Sequence, residues 1–136
     1  MIENLEKNYI ILLIFVRYSF IMESICYEGE KAMGELVAVL SGKGGTGKTS
    51  VCAGLATALA EEGARVLCID CDMGLRNLDI SLGVANLSAL SFMDILQGNY
   101  GLIQALKHPD YETLFFLTAP LDCTAEAVDP ELFCRM

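Results

Sequence analysis

Gly42, Lys43, Gly44, Gly45, Thr46, Gly47, Lys48 and Thr49 are consecutive and satisfy G-x-x-x-x-G-K-[ST] at every fixed position. Each residue type has a physical task. A triphosphate must come close enough for several main-chain N–H groups to point at its oxygens, and a Cβ at the glycine positions would stand in the way. Lys48 would bring a full positive charge to the β and γ phosphates, and the Thr49 hydroxyl would ligate Mg2+. The loop opens a helix whose first turn includes Ser50, where unpaired amides and a partial positive charge favour an anion. The expected ligands are ATP or ADP with Mg2+. The early lysine, Lys43, is the unusual member: a second ammonium group on a short turn facing the phosphates.

Two carboxylates, Asp70 and Asp72, close the next apolar run. A carboxylate at the carboxyl end of a strand beside the phosphate-binding strand lies in the crevice where open α/β sheets bind ligands. Such a group can hold the water shell of Mg2+ or orient the attacking water. Asp70 would end the strand and Asp72 would lie in the loop beyond, so they need not share a role; Asp70 also suits a turn-capping carboxylate.

The elements that must position these groups are legible as a repeating pattern. Leu36 to Leu40 is a short apolar run that stops at the glycine-rich loop, which predicts a central strand buried on both faces. Thr49 to Glu62 predicts a helix with Val51, Cys52, Leu55, Ala58 and Leu59 on one apolar face, ended by Gly63. Arg65 to Ile69 predicts a second strand, and the resulting βαβ unit requires parallel pairing with a right-handed crossover. The fold class is therefore α/β, a P-loop NTPase with a parallel sheet and flanking helices. Ser91 to Gln97 and Leu102 to Lys107 are expected as helices, and Leu114 to Leu117 as a third strand cut off by Pro120. An apolar run ending in Asp, the Walker B strand that such a site also needs, is missing between Ile80 and Met136. The sheet is therefore expected to be truncated before that strand, leaving an unpaired edge and marginal stability.

Composition narrows the function classes. With a net charge of -9 over 136 residues and no two Lys or Arg residues adjacent, the chain lacks the clustered Lys and Arg that a nucleic-acid surface requires. Six cysteines suit a reducing cytoplasm, four of them lying in apolar segments. Cys68 and Cys71 form C-x-x-C, but residues three apart on a strand point to opposite faces and cannot grip one ion. Tyr9 to Met22 is apolar yet interrupted by Arg17 and shorter than the roughly 20 residues of a membrane span. Residues 1–32 are expected to be an extension upstream of a natural start at Met33, apolar or disordered and no part of the fold, with 33–136 the N-terminal part of a P-loop ATPase domain. A peptide from residues 1–32 in mass spectra of the native protein would refute a start at Met33.

The loop string KGGTGKT and the later string DCDMGLRNLDISLG (Asp70 to Gly83) resemble the ParA/MinD family of deviant Walker ATPases, MinD members above all. The resemblance runs from about Gly34 to Pro120, and Arg76-Asn77 is its most discriminating pair. It implies that Lys43 reaches across an ATP-dependent homodimer to the partner's nucleotide, that Asp72 supports hydrolysis, and that a regulatory protein activates turnover. It further implies a cytoplasmic positional switch in cell division or partitioning, peripheral to the inner face of the membrane through a C-terminal helix that this chain does not reach. Cys71 and Met73 depart from the family's commoner aromatic or aliphatic residues, which affects packing more than chemistry. Two other readings stand beside it: a nucleotide-binding fragment without turnover, and an iron-sulfur electron donor resembling the nitrogenase iron protein, for which Cys123 alone lies near a plausible position.

Overall fold

The computed structural model describes residues 9–15, 34–73, 75–101, 105–123, 128–129 and 131–132, with the backbone alone at 9–15 and 34. Its strands are β1 (Tyr9–Phe15), β2 (Gly34–Leu40), β3 (Arg65–Asp70), β4 (Leu106–Lys107) and β5 (Leu114–Leu117). Its helices are α1 (Lys48–Glu61), α2 (Leu78–Ser81) and α3 (Phe92–Leu96). The strands form one sheet in the order β2-β1-β3-β5-β4, parallel except for β4, which runs antiparallel to β5. The fold is thus α/β with flanking helices, as the pattern of elements required.

Strand β3 shows why the sheet forms. Val66 and Cys68 face a cluster with Cys52, Ala53, Ala56 and Ala60 of α1, while Leu67 and Ile69 face a second cluster with Phe92, Met93 and Leu96 of α3. Alternate residues of one strand therefore bury both faces, as a central parallel strand must. The same alternation separates the C-x-x-C pair: Cys68 joins the α1 cluster and Cys71 the α3 cluster.

Three expectations change. First, Tyr9–Phe15, expected outside the fold, is a strand of the sheet and pairs on both sides. Second, β2 is consequently not central but lies at the sheet edge, with Leu36 and Leu40 42% and 39% exposed. Third, Leu106–Lys107, expected to be helical, is a strand paired with Phe115 and Phe116, because the chain turns back at Pro109-Asp110 into β5; Leu102 to Gln104 lie outside the described residues.

Helix α1 is where expected, but it is rotated. Its buried row is Lys48, Cys52, Ala53, Ala56 and Ala60, leaving Val51 60% exposed and Leu55 and Ala58 at the surface. The reason lies in its first residue: Lys48 must turn inward to the loop, so the row at i+4 follows it onto the sheet. Small side chains in that row let the helix approach closely. The helix ends at Gly63, whose φ of 85° continues the chain in the left-handed region that glycine adopts without cost.

Candidate phosphate-binding site

The loop between β2 and α1 is held open by its own side chains. Ser41 Oγ donates to the Lys43 carbonyl at 2.7 Å, accepts from the Lys43 amide at 3.2 Å, and lies 2.8 Å from Thr46 Oγ1. Thr46 Oγ1 also approaches the Lys43 carbonyl at 3.3 Å. These bonds fold the turn without using the glycine amides. Gly45 and Gly47 have φ of 74° and 85°, and a Cβ built at Gly42, Gly44, Gly45 or Gly47 meets nothing within 4 Å. The glycines are therefore not required by internal packing. Left-handed backbone accounts for two of them; open space above all four is what a phosphate cradle needs.

Gly47 caps α1 with no side-chain acceptor, so the first-turn amides around Thr49 and Ser50 remain available to an anion. Lys48 is only 8% exposed and donates from Nζ to the Lys43 carbonyl at 3.2 Å. Its ammonium thus folds over the loop. Lys43 is exposed on the rim, as are the glycines and Thr46, while Thr49 is half-buried.

The carboxylates part company. Asp70 is 1% exposed and accepts from the amides of Asp72 (3.0 Å), Asn77 (3.3 Å) and Leu78 (3.1 Å). Burial pushes its carboxyl above the ordinary range, and the Asp72, Leu78 and Asn77 amides pull it back. It functions as the cap of α2, reached from the end of β3, which is the turn-capping role weighed above. Asp72 stays half-buried in the loop; burial raises its pKa and the charge of Lys48 lowers it. The structure therefore brings Lys48 and Asp72 within electrostatic reach while Asp70 holds the segment that carries Asp72.

The rest of the segment is fastened in the same way. Arg76, at a positive φ of 29°, pairs through Nε with Asp79 Oδ2 at 2.9 Å, and Asp79 Oδ1 accepts from the Ile80 amide at 2.9 Å. Asp79 and Leu78 are buried. Arg76 and Asp79 were not read as a pair from sequence, although their i,i+3 spacing was the signal. Also missed was His108, buried, with Nδ1 accepting from the Asp110 amide at 3.1 Å and Nε2 placed 2.9 Å from the Leu82 carbonyl. Since Nδ1 accepts, Nε2 carries the proton and donates to Leu82, tying the end of β4 to the end of α2.

The site fits a nucleoside triphosphate with Mg2+. Among the described residues no group of three or more His, Cys, Asp or Glu could hold a metal by itself. A site with one hydroxyl, one nearby carboxylate and open anion-binding amides matches an ion carried largely by phosphates and water. Cys52, Cys68 and Cys71 are buried free thiols, and Cys123 is partly exposed against the α3 cluster. No described helix is long and apolar enough to cross a membrane.

These features define a P-loop nucleotide-binding protein. Residues 37–120 match the CobQ/CobB/MinD/ParA nucleotide binding domain, and the chain belongs to that family. It is 42% identical over 99 residues to the septum site-determining protein MinD of Thermotoga maritima, covering 72% of this chain and 36% of that protein. The MinD proteins of Bacillus subtilis (42%; 76% of this chain, 40% of theirs) and Escherichia coli K12 (43%; 64% and 33%) are similar. The chain therefore spans well under half the length of these curated relatives.

Proposed function

We propose that the chain is a MinD/ParA-type ATPase module that binds Mg-ATP at Gly42–Ser50, and that, as in full-length members of the family, ATP drives dimerisation and hydrolysis reverses it. The observation that carries the reading is the empty space above four loop glycines beside an inward-folded Lys48. In this reading Lys48 leaves the Lys43 carbonyl to meet the β and γ phosphates, Thr49 holds Mg2+, and Asp72 orients water for attack. Mg2+ supplies charge neutralisation of the phosphates. Lys43, exposed on the rim, is free to reach the nucleotide of a second copy. The names of the relatives point to septum-site determination in cell division as the setting; a positional switch acting with a regulatory protein and at the inner membrane surface is what the family resemblance adds to this reading.

Titration calorimetry of the folded chain with ATP and ADP in the presence of Mg2+ tests the central claim. Binding heat that disappears in Lys48→Ala is expected. No heat from the wild-type chain with either nucleotide refutes it.

A further inference from the structure

Strand β2 launches the phosphate loop, yet among the described residues its sheet partner is β1 alone, which also pairs with β3, the strand that launches Asp72. Pairing is continuous on both sides, from Tyr9↔Gly34 to Phe15↔Leu40 and from Tyr9↔Arg65 to Ile14↔Asp70. Each strand adds about 4.8 Å to the width of a sheet, so the separation of the loop from Asp72 is set by one intervening strand. The sequence suits that place: Ile10 to Phe15 is wholly apolar and contains no proline, the composition of a strand central in a parallel sheet. Residues 16–33 exceed the dozen or so that a parallel crossover needs. Tyr9–Phe15 itself contains no acidic or basic residue. The contribution of β1 is therefore positional.

We propose that Tyr9–Phe15 is the strand that assembles the nucleotide site of this chain, filling in cis a slot between the phosphate-loop strand and the Asp70 strand that accepts a seven-residue apolar parallel strand. Without it, β2 loses its ladder, and either detaches or closes directly onto β3. Both outcomes displace the loop by about a strand width, far more than the roughly 1 Å that costs a positioned site most of its efficacy.

The proposal rests on the Mg-ATP reading above, so its test has two readouts. The full chain, a chain starting at Met33, and the full chain with Leu12→Pro or Leu12→Val are compared by amide hydrogen exchange at Val37 and Val39 and by calorimetry with Mg-ATP. A peptide of residues 8–17 is then added to the Met33 chain. Expected are slow exchange in the full chain and in Leu12→Val, fast exchange with at least about tenfold weaker nucleotide binding in the Met33 chain and Leu12→Pro, and recovery of both with the peptide. Protected β2 amides together with nucleotide affinity within about twofold of the full chain, in either the Met33 chain or Leu12→Pro, overturn the proposal. So does a Met33 chain that the peptide fails to restore. Should the full chain give no heat with Mg-ATP, the functional reading falls while the exchange comparison still decides the role of the strand.

Discussion

Replacing Asp70 by Asn keeps the shape of the side chain but removes its charge and one of its two acceptor atoms. In the native loop Oδ1 serves the Asp72 amide and Oδ2 serves those of Asn77 and Leu78. An amide nitrogen in either place would face backbone N–H groups, donor against donor. With the residue buried, at least one N–H is left without an acceptor, at a cost of about 1–3 kcal/mol, partly offset because the variant no longer buries a charge. The net expectation is a loss of about 1–2 kcal/mol, which for a chain of 136 residues lowers the melting temperature by about 4–7 °C. Urea unfolding followed by circular dichroism measures the loss, and hydrogen exchange locates it: the Asn77 and Leu78 amides should exchange faster. Because those amides anchor the segment carrying Asp72, nucleotide turnover should fall as well. A loss under about 0.5 kcal/mol, within the range of an ordinary surface substitution, with unchanged exchange at Asn77 and Leu78, would show that the carboxylate does not hold the loop.

Lys43→Ala should leave binding of Mg-ATP by the single chain nearly unchanged while abolishing any ATP-dependent dimer seen by sedimentation; normal dimerisation and hydrolysis would remove the role in trans. Breaking the Arg76–Asp79 pair from one side, with Asp79→Ala, should cost about 1–3 kcal/mol in urea unfolding, since Asp79 is buried and accepts from the Ile80 amide; an unchanged midpoint refutes this. Alkylation of the native chain by iodoacetamide, read by mass spectrometry, should modify Cys123 well before Cys52, Cys68 or Cys71, because contact with the Cys52 thiol and then burial raise Cys68, and burial raises Cys71. Burial raises the Asp72 carboxyl above the ordinary aspartate range, against the opposing pull of the Lys48 charge, so the folded state holds this proton more tightly than the unfolded chain. Its contribution to stability is therefore most favourable below that range and is lost as pH rises through the folded pKa. The stability of wild type relative to Asp72→Asn should accordingly fall from acid to neutral pH; a rise across the same range would contradict the burial argument.

The phosphate loop was legible residue by residue because its chemistry is local. Glycines, an inward lysine and a hydroxyl must follow one another within one turn, so linear spacing determines the cradle before any packing does. The strand nature of Arg65–Asp70 and Leu114–Leu117 was equally plain, since short apolar runs between turn residues have few other uses. Tertiary structure decided what local pattern cannot. Which face of α1 is buried depended on Lys48 turning to the loop, so the larger residues Val51 and Leu55 lost the core to Ala53, Ala56 and Ala60. Whether Asp70 faces a ligand or caps a helix depended on where Asn77 and Leu78 fold back, seven and eight residues later. The place of Tyr9–Phe15 was least legible of all: an apolar run states that it must be buried, but its partners lie far along the chain, and only the assembled sheet determines which pair of strands receives it.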